Sequence, residues 1–134
     1  GHRLGDGYAS KCRHAHGHRY IAELSFTAPT LDEFGMVLDF GDIKRLAKGW
    51  VDANIDHAFL VYDKDTALLK FLQTEKNRHF VVAFNTTVEN IANWLGIQLQ
   101  TAIDNDDTAK VRGVTLAKVR VYETPNGWAE WTKR

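Results

Sequence analysis

The chain's 134 residues suffice for one hydrophobic core and are too few for two, so a single domain over residues 1–134 is predicted. Lysine plus arginine equals aspartate plus glutamate at 17 each, which excludes the broad positive field that nonspecific nucleic-acid binding requires. No run of about 18 apolar residues could span a bilayer, and the chain shows neither a leader pattern nor a cysteine pair. We therefore expect a cytoplasmic protein with a small-molecule partner, and neither nucleic acid nor membrane.

The first half of the sequence predicts two strands followed by two helices. The stretch "HRYIAELSFT", residues 18–27, alternates apolar and polar side chains with the period of a half-buried strand. A short apolar run, "MVLDF", predicts a second strand. Apolar residues then recur at i, i+3, i+4, i+7 and i+8, which predicts a helix over residues 41–53. A less regular helical pattern follows in "DTALLKFLQTEK".

The second half predicts a strand, a long helix and a closing hairpin. The strand is "HFVVAF", and Thr86 with Glu89 three residues later has the capping-box form that begins a long amphipathic helix. The polar run "DNDDTAKVRG" predicts a loop. One face of the next strand would hold Thr115, Ala117, Val119, Val121 and Glu123. After the turn "TPNG", the arm "WAEWTK" completes a hairpin, and the whole order predicts an α+β fold with an antiparallel sheet.

The stretch "KCRHAHGHRY", residues 11–20, contains three of the six histidines and the only cysteine. On a strand, His14, His16 and His18 would share one face and span about 13 Å, too far for all three to bind one ion. Gly17 allows close approach beside His16 and His18, which favours that pair. A catalytic zinc usually has three protein ligands, and His2 is the nearest third candidate. Polar surface histidines, or a tag remnant at the chain start, are the alternative.

Other candidate residues each have a functional and a structural interpretation. Cys12 is either a small buried filler or a thiol activated by a nearby cation. Asp56 could orient the imidazole of His57, or the pair could be an ordinary helix end. Glu123 ends an apolar strand face, where its carboxylate could accept two parallel hydrogen bonds, or it is a surface acid. Thr87, like its neighbour, could cap the helix or contact a ligand.

Several motifs occur in the order of one protein family. They are "GHRL", "KCRHAHGHRY", "GMVLDFGDIK", "NIDHAFL", "TTVEN" and "VYET", and they extend from His2 to Thr124. This series resembles the 6-pyruvoyltetrahydropterin synthase and 6-carboxytetrahydropterin synthase family. The three-residue spacing between Cys12 and His16 is similar to that of the bacterial 6-carboxytetrahydropterin synthases of queuosine biosynthesis.

The resemblance implies a role for each candidate residue. It implies that zinc is held by His2, His16 and His18. It implies catalysis by Cys12 as thiol, with Asp56 and His57 as its acid–base partners. It implies that the pterin ring is anchored by Glu123, with Thr87 near the substrate.

The resemblance also implies a fold and an activity. The fold is the tunnelling fold, an antiparallel sheet with helices on one face that assembles into a barrel, as a homo-hexamer. The activity is zinc-dependent conversion of 7,8-dihydroneopterin triphosphate to 6-carboxy-5,6,7,8-tetrahydropterin, with loss of acetaldehyde and triphosphate. Two alternatives are a 6-pyruvoyltetrahydropterin synthase, which eliminates triphosphate alone, and a noncatalytic pterin- or metal-binding module. The 31 residues between His57 and Glu89 exceed the family's usual spacing and predict an added helix there.

Overall fold

The computed structural model describes residues 1–5 and 10–133. The frame of this part of the chain is a three-stranded antiparallel sheet whose strands lie side by side in chain order. Its strands are β1, Ile21–Thr27; β4, Thr115–Thr124; and β5, Gly127–Thr132. The register pairs Ile21 of β1 with Tyr122 of β4. Period-2 alternation predicted β1 and β4, and the Pro-Asn-Gly turn predicted the β4–β5 hairpin. The expected α+β class with an antiparallel sheet is confirmed.

Helix α4, Val88–Asp104, packs on one face of this sheet. Its buried side chains recur at helical spacing, with Leu95, Leu99 and Ile103 each no more than 3 % exposed. Across the interface they meet three buried residues of β4, namely Leu116, Val119 and Val121. Burying each such side chain is worth about 1.5–3 kcal/mol, so this helix–sheet layer is the main stabilising contact.

The helical run over residues 40–54 confirms the helix predicted at 41–53. It comprises α1, Phe40–Ile43; a π-helical turn, Lys44–Lys48; and α2, Gly49–Asn54. Asp39 caps its start by accepting a hydrogen bond from the backbone N–H of Gly41 at 2.7 Å.

The strand predicted for "MVLDF", residues 36–40, is wrong because the backbone there bonds to side chains instead of a neighbouring strand. The Asp32 carboxylate accepts from the N–H of Met36 at 2.9 Å. The guanidinium of Arg112 donates to the carbonyl of Val37 at 2.8 Å. Phe40 already belongs to α1.

The loop predicted for "DNDDTAKVRG" is also wrong, because residues 107–111 form a short helix, α5, Asp107–Val111. Asp106 caps it by accepting from the N–H of Ala109 at 3.0 Å. Ala109 is fully buried in the main core, and this burial stabilises a helix in a segment whose polar composition predicted a loop.

No helix in the described ranges is both long and apolar enough to cross a bilayer.

A β–α–β unit lies between α2 and α4 along the chain. Strand β2, Phe59–Tyr62, pairs in parallel with β3, His79–Val82, and helix α3, Thr66–Thr74, connects them. Three of its side chains form a separate small core, Val61, Leu68 and Leu72. The sequence predicted α3 and β3, whereas β2 and the parallel pairing were not anticipated.

The face predicted for β4 is wrong over its first residues. Thr115 and Ala117 were expected to point inward, yet Leu116 is the fully buried residue there. The register with β1 shifts between Leu116 and Lys118, so a β-bulge at Ala117 reverses the alternation. Val119 and Val121 are buried, as predicted.

Gly96→Ala should destabilise the fold, because Gly96 of α4 lies against the indole of Trp131 in β5 and a Cβ would overlap ring carbons. We expect the free energy of unfolding to fall by about 1–3 kcal/mol, the usual cost of overpacking. Gly49→Ala is the matched control, since its Cβ would meet nothing nearer than 4.0 Å and alanine favours a helix. Equal losses for both variants in urea unfolding would contradict this account.

Candidate metal centre

Three histidine side chains converge at the end of the sheet, where the chain approaches β1. The Nε2 atom of His16 lies 3.1 Å from that of His2 and 3.0 Å from that of His18. The possible ligand atoms of all three lie within 4.8 Å of one another. The structure therefore brings together the three histidines that the sequence singled out, including His2.

Local backbone geometry produces this convergence. His2 and His16 form an antiparallel bridge with backbone hydrogen bonds of 2.9 and 3.1 Å in the two directions. His18 follows two residues later on the same side. His14 does not share this face as predicted, because it follows a 3₁₀ turn, Lys11–Arg13, and its side chain is exposed.

The donor set fits a metal ion. The ring Nδ1 of His2 lies 2.8 Å from the carbonyl oxygen of Thr86, and that of His16 lies 2.6 Å from the carbonyl of His14. A carbonyl can only accept, so both Nδ1 atoms carry hydrogen and both Nε2 atoms present lone pairs to the same point. Tetrahedral zinc, with Zn–N of about 2.0–2.1 Å, would separate its ligand nitrogens by about 3.3 Å, close to the 3.0 and 3.1 Å from His16 to the other two Nε2 atoms.

Burial disfavours the charged form of two of the three histidines. It lowers the pKa of His2 from its ordinary value to about 4, and the neighbouring His16 and His18 add to this effect while the Thr86 carbonyl opposes it. Burial also lowers the pKa of His18, against the opposing charge of Glu123. Neutral imidazole is the form that binds metals, so the lowered pKa values of His2 and His18 reduce the competition between protons and a metal at these two rings.

Glu123 lies at the cluster itself. Its carboxylate oxygen is 3.5 Å from Nε2 of His2 and 3.4 Å from Nε2 of His18. The register between β4 and β5 shifts between Tyr122 and Thr124, and a bulge of this kind can redirect a side chain. The predicted strand-end carboxylate is therefore beside the histidines and not on open surface.

A cavity of about 670 Å³ adjoins the cluster, in the size range of small-ligand sites. His18 forms part of its wall, and apolar side chains such as Val51, Ile55 and Trp94 form much of the rest. Tyr20 also lines the cavity. The pKa of its phenol is raised, chiefly by burial and to a smaller extent by the negative charge of Glu123. Among the described residues the buried hydroxyl of Tyr20 has no hydrogen-bond partner.

Asp56 and His57 line the same cavity at its edge. The His57 Nε2 lies 3.8 Å from the Asp56 carboxylate, and the two side chains are 90 % and 53 % exposed. His57 has a φ of 54°, a left-handed conformation that is uncommon outside glycine and is often found at functional positions. The predicted pair exists, but in one chain it faces solvent.

Five predicted site residues do not line this cavity: His2, His16 and Glu123, which lie in or beside the histidine cluster, and Cys12 and Thr87. Cys12 is a half-buried free thiol in the 3₁₀ turn, and its carbonyl accepts from the N–H of Leu4 at 2.9 Å. Thr87 caps α4 by accepting from the N–H of Asn90 at 3.3 Å. The capping box predicted at Thr86 is thus one residue early, and Thr86 instead lies fully buried under His2, a contact that no local pattern signals.

Solved structures of similar shape define the class of fold. The chain matches an uncharacterized protein from Wolinella succinogenes with a TM-score of 0.80 at 23 % identity, covering 99 % of this chain and 92 % of that one. It matches 6-pyruvoyltetrahydropterin synthase from Plasmodium vivax with a TM-score of 0.71 at 19 % identity, covering 98 % and 88 %. The architecture is accordingly the T-fold of pterin synthases.

Sequence comparison then identifies the family. The 6-pyruvoyl tetrahydropterin synthase family model matches residues 1–134. The chain is 37 % identical to 6-carboxy-5,6,7,8-tetrahydropterin synthase from Rickettsia bellii, over 97 % of this chain and 91 % of the relative. It is 29 % identical to the enzyme of the same name from Haemophilus influenzae, over 94 % and 87 %. The protein belongs to the 6-pyruvoyl tetrahydropterin synthase family.

The lowered pKa of His2 predicts a pH-dependent stability of the metal-free protein. Between about pH 6.5 and 4 the unfolded chain binds a proton that folded His2 excludes, so the free energy of unfolding should fall as pH falls through this window. Urea unfolding at pH 7, 5.5 and 4.5 measures the slope. His2→Gln should flatten it while exposed His14→Gln should not, and identical slopes for all three proteins would refute the assignment.

Proposed function

We propose that this protein is a zinc-dependent lyase that converts 7,8-dihydroneopterin triphosphate and water to 6-carboxy-5,6,7,8-tetrahydropterin, acetaldehyde and triphosphate. The observation that carries the proposal is the convergence of His2, His16 and His18 beside the carboxylate of Glu123. The names of the Rickettsia and Haemophilus relatives support this product. Under this proposal the protein acts in the cytoplasm, in queuosine biosynthesis.

Three neutral imidazoles suit zinc and leave one coordination position for substrate. His2, His16 and His18 would hold the ion, with the first two fixed at Nδ1 by backbone carbonyls. When bound, zinc would supply Lewis-acid polarisation of the hydroxyl groups on the substrate side chain.

Glu123 would recognise the pterin ring. A carboxylate can accept two parallel hydrogen bonds from the 2-amino and N3–H groups of a pterin. Once the histidine Nε2 lone pairs face an ion, they offer Glu123 no hydrogen, and its carboxylate becomes available to other donors. The adjoining cavity of about 670 Å³ has room for a bicyclic ring.

Proton transfer would involve Cys12 and the Asp56–His57 pair. Cys12, as thiolate, would remove a carbon-bound proton of the substrate side chain, and His57 would return protons as the C–O bond to triphosphate and a C–C bond break. The exposure of both Asp56 and His57 suggests that another copy of the chain covers them. We therefore propose a homo-oligomer, a hexamer by resemblance, whose sites lie between subunits.

The runner-up is a 6-pyruvoyltetrahydropterin synthase, which would lose triphosphate without acetaldehyde. The family model carries that name, whereas the spacing from Cys12 to His16 favours the carboxylated product. A noncatalytic pterin- or metal-binding module is disfavoured because Cys12, Asp56 and His57 are all present.

Metal content tests the proposed ligands. Purified protein should contain about one zinc per chain by atomic absorption, and His16→Ala or His18→Ala should remove it because two imidazoles rarely hold catalytic zinc. His14→Ala is the matched control, since that side chain is exposed outside the cluster and its loss should leave zinc in place. Stoichiometric zinc in the first two variants would rule out this site.

Product analysis tests the activity. Incubation with 7,8-dihydroneopterin triphosphate should release acetaldehyde and triphosphate in equal amounts, and Cys12→Ala should lower turnover by roughly 10²-fold or more, the scale of a lost general base. Zinc content of the variant is the control and should equal that of the parent. Triphosphate without acetaldehyde would establish the runner-up, and no turnover by the zinc-loaded parent would leave only the binding module.

A further inference from the structure

We propose that Thr86 is a positioning residue for the metal centre, acting through His2. Thr86 is 0 % exposed and lies directly before Thr87, which caps α4. No role in the proposed reaction involves it, yet it contacts the most buried of the three histidines. The inference rests on the proposed function only in that the ligand is a metal ion held by His2.

Two atoms of Thr86 approach the same ring nitrogen. The carbonyl oxygen is 2.8 Å from Nδ1 of His2, and the hydroxyl oxygen is 3.2 Å from it. The hydroxyl donates its own hydrogen to the carbonyl of Arg3 at 3.2 Å, so toward His2 it can only accept. Both atoms therefore hold the Nδ1–H tautomer, in which Nε2 presents its lone pair to the cluster.

The hydroxyl orients the ring and the backbone together. Through the Arg3 carbonyl it holds the peptide between Arg3 and Leu4, one residue beyond His2, and through Nδ1 it fixes the rotation of the imidazole. The adjacent Asn85 side chain accepts from the N–H of Gly5 at 3.0 Å, so residues 85–86 hold the first segment at several points. The start of α4 thereby determines where the Nε2 atom of His2 lies relative to His16.

Loss of the hydrogen bond between Nδ1 of His2 and the Thr86 hydroxyl should lower the affinity for metal more than it lowers the stability of the fold. Removing outer hydrogen-bond partners of metal-binding histidines typically costs about 10- to 100-fold in affinity. Thr86→Val keeps the side-chain shape and the backbone carbonyl and deletes the hydroxyl alone. Thr86→Ser keeps the hydroxyl and should restore parent behaviour.

The experiment compares zinc affinity, measured by competition with a chromophoric chelator, in the parent and in Thr86→Val, Thr86→Ser and Thr87→Val. We expect about a 10-fold loss for Thr86→Val, little loss for Thr86→Ser, and no loss for Thr87→Val, which removes the helix cap and lowers the melting temperature. The visible bands of cobalt-substituted protein should shift in Thr86→Val alone, since they report ligand geometry.

The outcomes separate this inference from the proposed function. If the parent binds no zinc, the metal-dependent function and the role of Thr86 both fail. If the parent binds zinc and Thr86→Val matches it in affinity and cobalt spectrum, only the role of Thr86 is overturned. Should Thr86→Val fail to fold, Thr86→Ala with the hydroxyl-bearing Thr86→Ser as its pair gives the same comparison.

Discussion

The site depends on one antiparallel bridge between residues far apart in sequence. The two backbone hydrogen bonds joining His2 to His16 bring their ring centroids to 4.6 Å, and the bond from Leu4 to Cys12 extends the pairing. On its other side, the first residue bonds to the chain around β2 through the Ala58 carbonyl and the Leu60 amide. Each such bond contributes only about 1 kcal/mol, so the position of His2 is set by several of them acting together.

The bridge also creates an electrostatic problem that the surroundings resolve. The Nε2 lone pairs of His2 and His16, 3.1 Å apart, repel one another, and burial disfavours protonation of His2, which would relieve that repulsion. Glu123 adds a negative charge 3.4–3.5 Å away. A cation at the centre would satisfy all of these groups at once. The backbone thus holds the two rings in a geometry that they would not choose by themselves, which is the preorganisation that the proposed metal site requires.

The elements that the sequence predicts correctly are those that a local pattern of residues determines. The alternation of β1 and the apolar stripe of α4 are local patterns, and the sequence predicts both elements. The spacing of His16 and His18 likewise indicates two members of the histidine cluster. Periodicity does not report features that depend on partners distant in sequence. These features are the bulge at Ala117, the parallel β2–β3 pair and the turn that places His14 outside the histidine cluster. Thr86 and Thr87 show the limit clearly, since one residue separates a helix cap from a buried contact with His2.

The contrast between the two halves of the site constrains how it could work. His2 is 2 % exposed and held at several atoms, whereas His57 is 90 % exposed and 3.8 Å from its acidic neighbour. An exposed ion pair contributes at most about 1 kcal/mol and orients an imidazole poorly. The left-handed backbone at His57 costs on the order of 1 kcal/mol or more, which is sustained where surrounding structure requires it. A second surface over this pair would exclude water and fix the imidazole. An acid–base role for His57 therefore requires that the chain assemble with another copy that covers the pair.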